Sequence, residues 1–264
     1  MCTYLGGRVI ADKKIRLKNI EKTMKAADLN IAVQSGFDYA DWLVIKPNAD
    51  YSDWDFAKME WGFLPFYLRS REEVEKFRKG YKDANGKYHA GMTTLNAKGE
   101  EMLLPGKLYR ESALKRRCLV PASHFYEWRH IFPIGKKGLP LKTAVKYPYA
   151  ISVKNCDCFF IAAVWQAWTD KATGETIDTF ALVTTDANSM MKQIHNSKNR
   201  MPVILTEALA EQWITNELSE DQLKQTATYQ FDPSLMSAHT IKKDFRAAVD
   251  PLEAFAYEEV PELV

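Results

Sequence analysis

From residue 117 onward the chain is a succession of segments rich in β-branched and aromatic residues, at 117–121, 124–128, 148–153, 158–165 and 178–185. Segments of that kind read as strands. They do not alternate regularly with helices, which argues against a doubly wound parallel sheet. The pattern predicts an α+β chain with a mixed, largely antiparallel, β-rich fold and peripheral helices. Residues 186–194 read as a helix with Asp186 as its N-cap. A strand at 201–205, helices at 206–215 and 218–226, and a last strand at 238–243 complete this half. Earlier, Ile15, Leu17, Ile20, Met24 and Ala27 fall roughly on one helical face, which predicts a helix over 15–28. REEVEKFRK at 71–79 opens on acids and ends on bases, as a helix dipole favours. A short helix is expected at 109–116. Loops are expected at 80–88, around Asn85-Gly86, and at 133–142, a long hairpin loop with two Pro and two Gly. With no repeat and no low-complexity linker, residues 1–264 read as one domain. The acidic and apolar stretch after about 245 is expected to be a packed strand or a docking segment.

At 264 residues the chain has ample length for a core. No apolar run approaches a membrane span, and MCTYLGGRVIADKK lacks a secretory signal. The cysteines Cys2, Cys118, Cys156 and Cys158 form no CxxC pairing, so they read as reduced thiols in a cytoplasmic or nuclear compartment. No metal site and no cofactor are expected, because His and Cys are scattered without ligand spacing. A net charge of +2 argues against a basic coat over the whole surface. Basic residues do cluster, at Lys13, Lys14, Arg16 and Lys18, at Lys115–Arg117, at Lys136, Lys137 and Lys142, and at Lys192, Lys198 and Arg200. Such runs are usually solvated faces. Brought together, they would make a groove for phosphates.

Cys2 follows the initiator methionine directly. Removal of Met1 would leave an α-amine of pKa about 7.7–8.0 beside a thiol near 8.5. That 1,2-aminothiol can form a Schiff base with an aldehyde and then close a thiazolidine ring. Position 2 alone also suits the first residues of a buried strand. Glu127 lies in HFYEWR, where alternation puts it on a face with Phe125, opposite His124, Tyr126 and Trp128. It is either a water-facing edge acid or a carboxyl in an apolar cleft with a raised pKa. His195 sits between a helix and a strand, where a general acid/base is often placed. The polar, basic run Asn196–Arg200 follows it. Asn96, flanked by small residues, is a turn former or an amide that orients a substrate oxygen. In EWGFLPFYL, Trp61, Phe63, Phe66 and Tyr67 surround Gly62 and Pro65, as core or as a stacking platform for unpaired bases.

Taken in order, Cys2, WGFLP at 61–65, Asn96-Ala97-Lys98, RRCLVPASHFYEW at 116–128, FFIAAVW at 159–165, FALVTT and IHNSKNRMPVIL resemble the SRAP (SOS response-associated peptidase) family of abasic-site processing proteins. The resemblance implies a β-rich α+β domain that captures abasic sites in single-stranded DNA covalently. It implies Cys2 as nucleophile, Asn96 as the residue positioning it, Glu127 as proton handler and His195 as acid/base on the sugar. On the same footing, Trp61, Pro65, Phe66, Tyr67, Lys98, Trp128, Lys198 and Arg200 are expected to touch DNA. The chain departs from the family pattern in places. Thr3-Tyr4 replaces Gly-Arg after the cysteine, Lys98 replaces an arginine, and Phe66-Tyr67-Leu68 stands where tryptophans are common. No Asn-Val-Ala-Pro segment is evident near 30–50, and Asn196–Asn199 lengthens the path from His195 to Arg200.

The expected partner is therefore single-stranded DNA carrying abasic sites. The chain is expected to be monomeric, without membrane contact, nucleoid-associated in a bacterial cytoplasm or nuclear in a eukaryote. The rival readings are an N-terminal-cysteine (auto)peptidase and a non-catalytic single-stranded DNA-binding module.

Overall fold

Two sheets share one continuous piece of chain. A computed structural model describes residues 2–215 and 218–264. The strand Arg117–Ala122 belongs to the first sheet, and His124–Ile131, one residue later, belongs to the second. In the first sheet the order runs Thr176–Asp186, Trp54–Trp61, Asp41–Pro47, Arg117–Ala122, Phe159–Thr169 and back to Thr176–Asp186, which closes a small barrel. The junction of Trp54–Trp61 with Thr176–Asp186 is parallel; the others in the ring are antiparallel. Closure leaves no edge in the ring and lets every barrel strand bury one face. The second sheet is antiparallel throughout, in the order Met236–Thr240, Val145–Val153, His124–Ile131, Tyr4–Arg8 and Asn30–Ser35. Helices lie outside these sheets. The expected β-rich α+β class is thus the observed one.

The strands after 117 fall where the β-branched and aromatic runs place them. Elsewhere the structure corrects the sequence reading. Residues 15–28 are no helix. Lys13–Leu17 and Ile20–Met24 pair as a hairpin, with Lys18 and Asn19 both at positive φ, 53° and 63°. That is the backbone of a two-residue hairpin turn, and the apolar residues alternate along it rather than follow a helical period. The 80–88 loop is largely a hairpin of Gly80–Lys82 with Tyr88–Ala90, turning at Gly86. The helix expected at 186–194 is Ser189–Ile194, and its N-cap is Asn188, whose side chain accepts from the Met191 amide. Asp186 instead ends a strand and pairs with Arg200. The strand at 201–205 is two short pieces, Arg200–Pro202 and Ile204–Leu205, on different barrel strands.

Gly62, in the WGF segment, shows why that position is glycine. Its φ is +148°, and a Cβ there would lie 2.6 Å from the Tyr39 ring. The stretch after 245 folds back on the second sheet, where Phe255 donates its amide to the Thr240 carbonyl and Tyr257 packs edge-on against Tyr147. No helix among the described residues is long and apolar enough to cross a membrane.

Candidate functional site

Cys2 lies at the open end of the strand Tyr4–Arg8, next to the strand that carries Glu127. The register Leu5↔Phe125 and Gly6↔His124 sets these two strands side by side. Cys2 is fully buried in the main core cluster. Its carbonyl accepts a 2.9 Å hydrogen bond from Asn96 Nδ2. Asn96 begins a three-residue strand that pairs in parallel with Leu182–Thr184 at the barrel rim. Its own carbonyl accepts from the hydroxyl of the half-buried Tyr109, and its buried Oδ1 has no hydrogen-bond partner among the described residues. The residue is thus tied through its side-chain amide to Cys2 and through its backbone carbonyl to Tyr109, and the amide retains a free acceptor.

Glu127 points to the Phe125 side of its strand, as alternation requires, and is 4% exposed. Burial pushes its carboxyl up to about 8. At neutral pH it is therefore largely a neutral acid that holds a transferable proton. Burial likewise pushes the Cys2 thiol up, and the nearby Glu127 charge pushes it further. His195 Nδ1 stands 3.6 Å from Glu127 Oε1. The same nitrogen is 2.8 Å from the Arg200 carbonyl, which can only accept, so Nδ1 carries the hydrogen and Nε2 is the basic nitrogen. Burial pulls His195 down to about 4, leaving the imidazole neutral. Two neutral proton carriers with well-separated affinities, one acid and one base, is an arrangement suited to paired proton transfer.

The loop after His195 is tied down at both ends. The Asn196 side chain accepts from the His130 amide at 2.9 Å and donates to the His130 carbonyl at 2.8 Å. It caps the strand of Glu127 like a short piece of neighbouring strand. At the far end the Arg200 guanidinium is held by Glu100, Asp186 and the Thr184 carbonyl.

The structure brings Cys2, Glu127 and His195, all buried, and the half-buried Asn96 into one cluster. The residues expected to touch DNA divide. Phe66 and Tyr67 are exposed, at 79% and 52%, and border an open groove of about 880 Å³ that Arg110, Arg116 and Trp165 also line. Lys198 is exposed, and Lys98 is exposed but paired with Glu101 at 3.0 Å. Trp128 is half-buried, edge-on to Tyr4 with centroids 5.1 Å apart. Trp61 and Pro65 are buried. Trp61 stacks on Phe180 and donates to the Leu95 carbonyl, so it is a core residue and no platform for bases. Arg200 is a brace whose charge two carboxylates already meet, and it offers little to a phosphate. Sequence reasoning missed Tyr109 altogether. Nothing local marks it; only its packing on Phe63 and its bond to Asn96 do. No group of three or more potential ligands that could hold a metal occurs among the described residues.

Residues 9–247 match the family model described as SOS response associated peptidase (SRAP). Cys2 precedes the matched stretch. The abasic site processing protein YoqW of Bacillus subtilis is 29% identical over 192 residues, 73% of this chain and 71% of that protein. The abasic site processing protein HMCES of Gallus gallus is 23% identical over 233 residues, 82% of this chain and 63% of that one. Among solved structures, a protein from Bacteroides thetaiotaomicron superposes with a TM-score of 0.69 at 29% identity, covering 88% of each chain. A phage-related protein from Bordetella bronchiseptica shares the fold, at a TM-score of 0.62 and 19% identity over 92% of this chain and 95% of that one.

Proposed function

This chain belongs to the SOS response associated peptidase family, and from that premise we propose that it captures abasic sites in single-stranded DNA through the α-amine and thiol of Cys2. One observation carries the reading. The residue that removal of Met1 would make N-terminal is held by Asn96 in one cluster with Glu127, an acid, and His195, whose ring lies 3.6 Å from that acid by its Nδ1 and offers Nε2 as base. Met1 itself lies outside the described residues.

The chemistry balances with what the chain supplies. An abasic deoxyribose opens when a proton reaches its ring oxygen and its C1′ hydroxyl loses one. Protonated Glu127 is the acid for that step and His195 Nε2 the base. The Cys2 amine adds to the C1′ aldehyde and water leaves, giving an imine. The Cys2 thiol then adds across the C=N bond while its proton passes to nitrogen, closing a thiazolidine. Asn96 Oδ1 is the acceptor for the amine or a sugar hydroxyl during these steps. A ring without a persistent iminium does not drive β-elimination, so the strand next to the lesion stays intact. The groove beside Phe66 and Tyr67 suits the flanking nucleotides, with aromatic faces for bases and Arg116 for phosphate.

The test is a denaturing gel of the protein with a single-stranded oligonucleotide bearing one abasic site. A covalent species that disappears in Cys2→Ala is the expected result. Intact mass should give the protein without Met1, and an active protein that retains Met1 would sink the aminothiol mechanism. Reversible binding with no adduct would leave a binding module instead. Cleavage of a peptide without DNA adduct would favour the peptidase.

A further inference from the structure

The strand that carries Glu127 does not end at the site. It runs on into the hairpin 132–142, which the capture chemistry does not use. This hairpin is ordered by its own backbone. Gly135 and Leu141 donate to the Leu139 and Pro133 carbonyls, each at 2.8 Å, and Gly138 turns the tip at φ 73°. Its apolar side chains nevertheless face water. Phe132 is 51% exposed, Ile134 65%, Leu139 68% and Leu141 49%. Four large apolar groups on one short finger are not scattered surface residues, and a patch of that kind marks an interaction site.

Charge says what the finger meets. Lys136, Lys137 and Lys142 stand exposed among these apolar groups. From Trp128 through Cys156 the chain has no Asp or Glu at all, while Arg129, Lys146 and Lys154 add to the positive side. A finger meant for an apolar protein groove would not need an unbroken positive field. Apolar wedges flanked by lysines match a polynucleotide, with its unstackable bases between phosphates. Position agrees. At about 3.3 Å per strand residue, Phe132 lies up to roughly 17 Å along the strand from Glu127. That is within the span of roughly five phosphates of one strand.

We propose that the hairpin 132–142 is a second contact for the polynucleotide, with Lys136, Lys137 and Lys142 on phosphates and Phe132, Ile134, Leu139 and Leu141 wedged against bases beside the captured sugar. The proposal rests on the capture reading for its partner, and its test does not depend on the capture chemistry.

The experiment measures binding of an oligonucleotide without an abasic site by fluorescence anisotropy over a range of salt. Three proteins are compared: the unaltered chain, a triple variant Lys136→Glu, Lys137→Glu and Lys142→Glu, and a quadruple variant Phe132→Ser, Ile134→Ser, Leu139→Ser and Leu141→Ser. All seven positions are at the surface, so thermal melts should coincide. For the lysine variant the slope of log K against log salt should become shallower by about 2, as loss of three single-strand phosphate contacts requires. For the serine variant the slope should hold while affinity falls about tenfold. Unchanged slope and affinity in both variants would overturn the proposal. So would intact oligonucleotide binding together with lost binding to phosphatidylserine vesicles, or with a lost dimer in sedimentation, since the finger would then serve a membrane or a second copy. A hairpin-dependent salt slope in a protein that forms no adduct with an abasic oligonucleotide would support the finger and sink the capture reading alone.

Discussion

Glu100 and Glu127 are both drawn out of water, and the fold treats them in opposite ways. Glu100 is half-buried in a cage of donors, from the Arg200 guanidinium, the Thr185 hydroxyl and the Asp186 amide. Burial alone would raise it, but Arg200 and its other donors outweigh that, and it stays below the ordinary carboxylate range. Glu127 is more deeply buried and is pushed up to about 8. A thiol and a neutral imidazole stand near it; the positive charge of the chain's α-amine and the Trp128 amide pull it down, and burial outweighs both. The difference separates two uses of a buried acid. A carboxylate paired with arginine ties chain segments together; a carboxyl whose burial outweighs its partners keeps a proton within reach of chemistry. Arg200 links the two regions, because its side chain braces Glu100 while its carbonyl sets the tautomer of His195.

The widest separation between the regions should come from Glu127→Gln. Under the capture reading, adduct formation at pH 7 is expected to slow by about 10²- to 10⁴-fold, the usual worth of a positioned acid/base. Stability should move the other way, and the sign follows from proton binding. Below the ordinary carboxyl value of 4.5 both folded and unfolded chains hold the proton, and Glu127 costs nothing. Between 4.5 and about 8 the folded chain keeps a proton that the unfolded chain releases, so stability falls as pH rises. Above about 8 the deficit is constant, on the order of 5 kcal/mol at most. Melts of Glu127→Gln and the unaltered protein should therefore coincide near pH 4.5 and diverge up to pH 8, with the variant the more stable. A constant difference across that range would mean that Glu127 is not held neutral.

Arg200→Ala tests the other region and should do the reverse. It strips the cage from Glu100 and frees the loop that holds His195. Breaking a buried pair from one side costs about 3 kcal/mol. In a chain of this size the melt should fall by about 5–10 °C at every pH where Glu100 is ionised. Adduct formation should slow less than in Glu127→Gln once the variant is assayed below its melt. If Arg200→Ala left stability untouched and abolished only DNA binding, the brace would be wrong and Arg200 would be a phosphate contact after all. A stability effect confined to acid pH belongs to His195. Burial holds it down to about 4 against an ordinary 6.5, so its contribution to stability is intact above 6.5 and drains as pH falls towards 4. His195→Gln should flatten that acid limb of the stability curve.

How much of this was legible in the sequence depends on the range of the forces involved. The strands after 117 were readable because β-branched and aromatic runs record a local backbone preference. The Lys13–Met24 hairpin was not, because Ile15, Leu17, Ile20 and Met24 fit a helical stripe as well as two alternating strands. Its turn, at Lys18-Asn19, carries no glycine or proline to give it away. Trp61 and Arg200 misled for one reason. Whether an indole or a guanidinium is spent inside the protein is decided by Phe180 and Leu95 in one case, and by Glu100 in the other, a hundred residues away. The four clustered residues span the chain from 2 to 195, and family resemblance, not local pattern, linked them before the strands did. Glu127 is the exception, since alternation alone put it on the face of Phe125, where an acid is expensive.

The smallest expected effect is also the cleanest test of where the DNA lies. Phe66→Ala and Tyr67→Ala remove exposed rings, so neither should shift the melt beyond about 2 °C. If the groove beside them holds the nucleotides next to the lesion, each loses one stacking partner, worth about 1–3 kcal/mol per base. Affinity for an abasic oligonucleotide should drop about tenfold, while the adduct rate at saturating DNA stays within about twofold. That split differs from Glu127→Gln, which should lower the saturated rate and leave affinity alone. It differs also from Arg200→Ala, which should move stability first. Should Phe66→Ala and Tyr67→Ala instead lower the saturated rate, the rings would be placing the sugar against Cys2 rather than holding its neighbours, and the boundary between groove and reacting cluster would have to be redrawn to include them.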